Sequence, residues 1–403
     1  MVAGASSICI QAGKVVASQR TLVDGAVTIA DGRITAVGEL SSTDSGARRL
    51  EYPDGILLPG FIDLHVHGAN GQRFDTASVA PAGIAHVSEY LAATGTTCFL
   101  ATVAAASKDI LHCAVAAIAT AIERPLPGAT VLGIHLEGPY LNPVRRGAMQ
   151  GELLTLPSLE HFLPLWEAAS GEIKYLTLAP ELARANAFIR DVANLGIHVS
   201  AGHTDADART FEQACEQGVS GVTHLFNAMS GIHHREPGVA GAALCHPTVW
   251  VELVGDGIHV HPSIMKIALR AKGLDRVAIV TDGGALTGKV DGEHHDGRRQ
   301  VVLKDYKCTL PDGTLAGSAS PMNRNCRILR NELGLEWQDV ARLTARNAAT
   351  MLGVGHCKGS IAVGMDADLV VLDRECNVLL TVVQGRIRYE RETLDGRYRA
   401  GTT

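Results

Sequence analysis

The chain has 403 residues, 46% hydrophobic and 19% charged, with a net charge of -6. That length can bury one large core and a smaller second one, and the balance is that of a folded enzyme rather than a disordered or fibrous chain. The acidic sign, the absence of a basic run and an aromatic content of only 4% argue against a nucleic-acid surface; the most basic short stretches, Val144-Arg145-Arg146 and Gly297-Arg298-Arg299, read as loops.

Nine cysteines, an odd number with no Cys-x-x-Cys pair, point to buried reduced thiols and a reducing, cytoplasmic setting. Met1 to Ile10 lacks a charged region followed by an apolar one, so no signal peptide is expected. The longest apolar stretch, Tyr90 to Ala106, is broken by Gly95, Thr96 and Thr97 and is too mixed to span a membrane.

Residues 7 to 58 read as short strands, among them Ile8-Cys9-Ile10, Ala26 to Ile29 and Arg33 to Val37, punctuated by turns such as Ala30-Asp31-Gly32. The C-terminal end repeats the style in Ala367 to Leu372 and Val382 to Ile387. The two ends predict a small β-sandwich domain built from both termini, residues 1–58 and 356–403. The alternative, edge strands of the main domain, is weaker because the middle already accounts for a closed barrel.

That middle, residues 59–355, alternates strand and helix. Strands are expected to end at His67, Val103, Glu137, Ala179, His203, His224, Asp256 and Asp282. Helical patterns lie at Pro81–Tyr90, Asp109–Glu123, Leu159–Ala169, Ala183–Leu195, Ala206–Gln217 and Pro262–Ala271, with one more near Glu336–Leu352. Pro81 suits a first helical turn, where no backbone N–H is needed. Eight such alternations in roughly 290 residues predict an α/β fold, a TIM-like (β/α)8 barrel, whose chemistry gathers at the C-terminal ends of the strands.

Polar residues fall at those ends. His65 and His67, two apart on a strand, face the same way and can reach one metal. Glu137 closes strand three, His203 strand five, His224 strand six and Asp282 strand eight. Any one of these histidines alone is better read as a core residue. Four histidines and two carboxylates at the same end of five strands are not, and imidazole plus carboxylate suits a divalent metal such as zinc or iron. Asp282 opposite such a cluster can take a proton from a metal-bound water.

The segments Pro59-Gly60-Phe61-Ile62-Asp63-Leu64-His65-Val66-His67-Gly68, His135-Leu136-Glu137-Gly138-Pro139-Tyr140, Ala201-Gly202-His203-Thr204, Thr223 to Met229, Asp256-Gly257-Ile258-His259-Val260, Val280-Thr281-Asp282, Leu315-Ala316-Gly317-Ser318 and Gly359 to Val370 occur in this order. With them the chain resembles the amidohydrolase superfamily and, within it, the N-acetylglucosamine-6-phosphate deacetylase family. The resemblance implies that Glu137, His203 and His224 hold one metal and that His65 and His67 hold a second, giving one or two ions per subunit. It implies Asp282 as general base, also placed within reach of the metal. Asn227, Ala228, Arg235, His259 and the Leu315 segment become contacts to an amino-sugar phosphate, and a homodimer brings Arg235 into the neighbouring site. The expected reaction converts N-acetylglucosamine 6-phosphate to glucosamine 6-phosphate and acetate, with neither nucleic acid nor membrane as partner.

Two stretches depart from the family. Met149, in Arg146-Gly147-Ala148-Met149-Gln150, stands where family members place a carbonyl-polarising histidine, and a thioether cannot donate a hydrogen bond. The loop Gly283-Gly284-Ala285-Leu286-Thr287 is also unusual. A second metal, Gln150 or another group could take over, or the substrate could be a different N-acyl or cyclic amide. A sensor protein that has lost catalysis is a third reading, opposed by the complete ligand set.

Overall fold

The computed structural model describes residues 7–39, 47–76, 80–296 and 299–392; Gly297 and Arg298 of the second basic stretch, and Met1 to Ser6, lie outside them. The chain opens with β1 (Ile8–Val16), β2 (Thr21–Ala30), β3 (Arg33–Glu39) and β4 (Arg48–Pro59). Then comes β5 (Phe61–Val66), whose six residues are all buried, and a short hairpin of β6 (Gly68–Ala69) and β7 (Gln72–Arg73). From there helix and strand alternate: α1 (Pro81–Ala93), β8 (Thr96–Ala104), α2 (Lys108–Ile122), β9 (Thr130–Glu137), α3 (Leu159–Ala168) and β10 (Ile173–Leu178). The series continues with α4 (Ala185–Asn194), β11 (His198–Ala201), α5 (Ala208–Gln217), β12 (Val219–Val222), α6 (Gly238–Cys245), β13 (Trp250–Val254), α7 (Pro262–Lys272) and β14 (Val277–Val280).

Strands β5 and β8 to β14 form one eight-stranded parallel sheet, β14-β13-β12-β11-β10-β9-β8-β5. Buried on both faces, they carry the unbroken apolar runs a parallel barrel demands. Helix starts follow local chemistry. Pro81 and Pro262 occupy first turns, and the Asp207 carboxylate accepts the Thr210 N–H at 2.7 Å. The ring closes between β14 and β5 near the C-terminal ends of the strands. Val66 bridges Gly283, and the His67 N–H donates to the Gly283 carbonyl at 2.8 Å. Just below, the buried Asp63 carboxylate accepts the Thr281 hydroxyl at 2.5 Å, the Thr281 N–H at 3.2 Å and the His65 N–H at 3.3 Å.

Several strands stop earlier than the sequence suggests. β11 ends at Ala201, β12 at Val222, β13 at Val254 and β14 at Val280, so His203, His224, Asp256 and Asp282 sit in the turns beyond. The backbone enters the left-handed region at His203 (φ 48°), His224 (φ 34°) and Asp282 (φ 51°). This costly conformation clusters at functional sites because it re-aims a side chain within one residue. Gly202 allows the turn before His203: a Cβ there would lie 2.7 Å from the Thr177 side chain and 2.9 Å from that of Thr223.

After β14 comes an element the sequence does not announce. β15 (Gly292–His295), β16 (Gln300–Lys304), β17 (Lys307–Thr309) and β18 (Leu315–Ser318) make an antiparallel sheet around a small core of Leu286, Val301, Leu303, Cys308 and Ala319. It is pinned to the barrel where the Ser318 N–H donates to the Asp282 carbonyl at 2.9 Å. α8 (Met322–Asn331) completes the eighth alternation. The expected helix near 336–352 appears as α9 (Trp337–Ala341), a π-helical turn (Arg342–Arg346) and α10 (Asn347–Met351).

β19 (Leu369–Leu372), β20 (Val378–Val383) and β21 (Arg386–Glu390) then join the first four strands in one seven-stranded sheet, ordered β21-β20-β19-β4-β1-β2-β3. Ile10, Val27, Leu57, Leu369 and Val382, from five of its strands, share one core.

Candidate active site

Two groups of side chains able to hold a metal ion meet at the C-terminal mouth of the barrel. In the first, Glu137 Oε1 lies 3.2 Å from both His203 Nε2 and His224 Nε2, which are 3.1 Å from each other. In the second, His65 Nε2 and His67 Nε2 are 3.2 Å apart, with Asp282 Oδ1 3.5 and 3.4 Å from them. Glu137 joins the two, its Oε2 lying 3.3 Å from His67 Nε2 and its Oε1 3.5 Å from His65 Nε2. All six residues are buried.

The tautomers show what this arrangement lacks. His203 Nδ1 donates to the Arg145 carbonyl at 2.9 Å, and His65 Nδ1 donates to Glu252 Oε2 at 3.1 Å. In the neutral imidazole the Nε2 atoms then carry lone pairs aimed into the cluster. Lone pairs of two imidazoles about 3 Å apart repel unless a proton or a cation sits between them. Four ligands about 2.0–2.1 Å from a tetrahedral metal are about 3.3–3.4 Å from one another, which is the spacing found. The donor set therefore fits a divalent cation in each group.

Electrostatics agree. Burial pushes the Glu137 carboxyl up, yet His65, His203, His224 and His67 hold it well below the usual carboxylate range. Asp282 is likewise held far down, against its burial, by His65 and His67. Burial opposes charge on His65, but Asp282, Glu137 and Glu252 outweigh it and raise its pKa to about 10. A cation bound at His65 Nε2 would therefore displace a proton. His135 differs. Burial and the nearby His65 push it well below its ordinary value, and it donates from Nδ1 to the Leu64 carbonyl at 3.2 Å and accepts the Thr177 hydroxyl at 2.8 Å. It is a satisfied core histidine.

Above the cluster lies a cavity of about 430 Å³. His67, Glu137, His203, His224 and Asp282 line it, together with Asn227, Ala228, His259 and Leu315. His259 donates from Nδ1 to Asp256 Oδ2 at 2.7 Å; burial lowers its pKa, but Asp256 prevails and raises it. Met149 and Gln150 both face the cavity. Arg235 does not: it lies on an exposed loop with its guanidinium 2.6 Å from His234 Nε2.

Three residues escape a sequence reading. Glu252 hides in the middle of the apolar strand β13. Arg73, on β7, lines the cavity with its guanidinium gripped by Asp75 through two bonds of 2.7 Å and with Nη1 3.5 Å from Asp296. Arg299 reaches the Ala148 carbonyl from the far side of the loop. Only Glu252 left a signal, an acidic residue inside an otherwise unbroken apolar run.

A buried pair of histidine–carboxylate clusters at the mouth of a (β/α)8 barrel defines a metal-dependent hydrolase, and residues 56–388 match the model of the amidohydrolase family. The chain belongs to that family. Within it the chain is one of the N-acetylglucosamine-6-phosphate deacetylases: it is 39% identical to the Bacillus subtilis enzyme over 97% of its own length and 99% of that protein. It is also 31% identical to the N-acetylgalactosamine-6-phosphate deacetylase of Escherichia coli O157:H7, over 94% and 98% of the two chains. Among solved structures, a mutant of the Mycobacterium smegmatis N-acetylglucosamine-6-phosphate deacetylase, in complex with N-acetyl-D-glucosamine-6-phosphate, superposes with a TM-score of 0.88 at 31% identity, covering 95% of this chain and 99% of that one. No described helix is long and apolar enough to cross a membrane.

Proposed function

We propose that the chain hydrolyses the acetamido group of N-acetylglucosamine 6-phosphate to glucosamine 6-phosphate and acetate. The observation that carries this reading is the Asp282 carboxylate, ionised and beside His65 and His67 on the floor of a cavity that admits a sugar. Glu137, His203 and His224 would hold one cation, and His65, His67 and Asp282 a second, with zinc and iron both suited to such donors. A divalent cation there supplies a Lewis acid that acidifies water and polarises a carbonyl.

The residues of the chain supply the rest. Asp282 accepts the proton of the attacking water and delivers it to the departing nitrogen. Met149 has no hydrogen to donate to the amide carbonyl; Arg73 is the most deeply buried arginine lining the cavity. His259, charged through Asp256, and Asn227 with the Ala228 backbone face the sugar phosphate. Arg235 grips the phosphate bidentately, in the cavity of a second subunit of a homodimer; its exposure outside its own cavity supports this. An odd number of cysteines, nine, with no Cys-x-x-Cys pair supports a cytoplasmic setting.

The test is to assay acetate release from N-acetylglucosamine 6-phosphate, its galacto epimer and unphosphorylated N-acetylglucosamine. The phosphorylated gluco sugar should give the highest kcat/KM. Equal values with and without phosphate would remove the phosphate site, and a preference for the galacto epimer would reassign the substrate.

A further inference from the structure

Each imidazole of the cluster must present its Nε2 lone pair inward, and only an outer partner on Nδ1 fixes that tautomer. The four differ sharply in this. Among the described residues, Nδ1 of His67 and Nδ1 of His224 have no hydrogen-bond partner. His203 relies on a main-chain carbonyl, that of Arg145, in a partly exposed loop. His65 alone is held by a charged group, Glu252 Oε2 at 3.1 Å, and both residues are fully buried.

Glu252 is out of place by any structural criterion. It interrupts the apolar strand β13, where Val251, Leu253 and Val254 pack in the core. Its Oε2 accepts from His65 Nδ1 and from the His224 N–H at 3.3 Å, while its Oε1 has no hydrogen-bond partner among the described residues. A buried carboxylate so incompletely paired is destabilising unless positive charge lies nearby. The His65/His67 group lies directly beyond the imidazole it touches.

We infer that Glu252 is the positioning residue of the His65/His67 cation site: it locks His65 as the Nδ1–H tautomer, makes Nε2 more basic and so sets whether the second cation is retained. This rests on the two-cation reading above. The first group, Glu137 with His203 and His224, has no such dependence, because Glu252 meets it only at the His224 backbone N–H.

The experiment titrates chelator-stripped wild-type and Glu252→Gln protein with Zn²⁺ against a chromophoric competitor, reading ions per chain and the affinity of each. Glutamine preserves shape and an acceptor while removing the charge. The wild type should bind two ions; in the variant the first should keep its affinity and the second weaken about 10–100-fold. Glu252→Asp, which keeps the charge but draws it back from Nδ1, should give the same split and covers the case in which Glu252→Gln fails to fold. A wild type that binds one ion would overturn the two-cation reading itself. Two ions in the wild type, with the second affinity unchanged in the variants or with both affinities falling equally, would overturn the role of Glu252.

Discussion

One buried side chain, Asp63, reinforces the main-chain seam that closes the barrel, and its part in that closure can be tested quantitatively. Asp63 on β5 accepts three hydrogen bonds, two from Thr281 and one from the His65 N–H. Burial raises its pKa to about 7, so replacing it also removes a costly charge. Comparing Asp63→Ala with Asp63→Asn cancels that charge, since neither variant carries it. Asparagine keeps an acceptor for both N–H groups, and its amide can donate to the Thr281 oxygen. Alanine leaves the two N–H groups unsatisfied, whereas the hydroxyl can turn to the His65 carbonyl, 3.4 Å away. At about 1–3 kcal/mol for each stranded buried donor, alanine should be about 2–6 kcal/mol less stable than asparagine. Urea unfolding of the two variants at one pH measures the difference. Activity should fall with it, because the same seam sets Asp282 beside His65 and His67. Equal unfolding midpoints would refute the role given to Asp63.

Other outcomes follow from the site. Asp282→Asn, which tolerates the left-handed backbone at that position, should lower kcat about 10²–10⁴-fold while sugar-phosphate binding is kept; a kcat within tenfold of wild type would refute the assigned base. His259 has a raised pKa, so its charge, and any stability it adds, is fully present below the unfolded value of about 6.5 and is lost as pH rises through the folded one. KM for the phosphorylated sugar should therefore climb as pH rises through the raised pKa of His259, and His259→Gln should flatten that profile; a climb confined to kcat would point elsewhere. Stripping the metal should lower the Tm and re-adding zinc should restore it, by about 2.7 kcal/mol of stability at a hundredfold excess over Kd. A Tm indifferent to both would mean that the clusters hold no ion.

How much of this could be read from the sequence depended on whether a residue's role was local. The barrel strands announced themselves through apolar runs, and the buried histidine–carboxylate clusters through polar residues just beyond their ends. α6 was missed because Gly238-Val239-Ala240-Gly241-Ala242-Ala243-Leu244 is buried all round and shows no polar face. α8 does carry a helical pattern, Met322, Cys326 and Leu329 recurring on one buried face, but it is short and crowded by Asn and Arg. The sheet at 292–318 is built of strands of three to five residues, too short for alternation to stand out. Glu252 acts through a distant partner, His65, and Arg73 is held by Asp75 two residues on and by distant Asp296, meetings that no local pattern announces. Arg235 lies on an exposed loop away from the cavity of its own chain, a placement that no local pattern reveals.

The pairing of β4 with β19 has a consequence for synthesis. Pro59 lies opposite Leu369 in that ladder, so β4 leaves the ribosome about 310 residues ahead of its neighbour. At about 5–20 residues per second that is a wait of about 15–60 s. Throughout it, the hydrogen-bonding edge at Ile56, Leu57 and Leu58 is uncovered on a nascent polypeptide. Chaperone demand during translation should therefore be greatest just before the last three strands emerge.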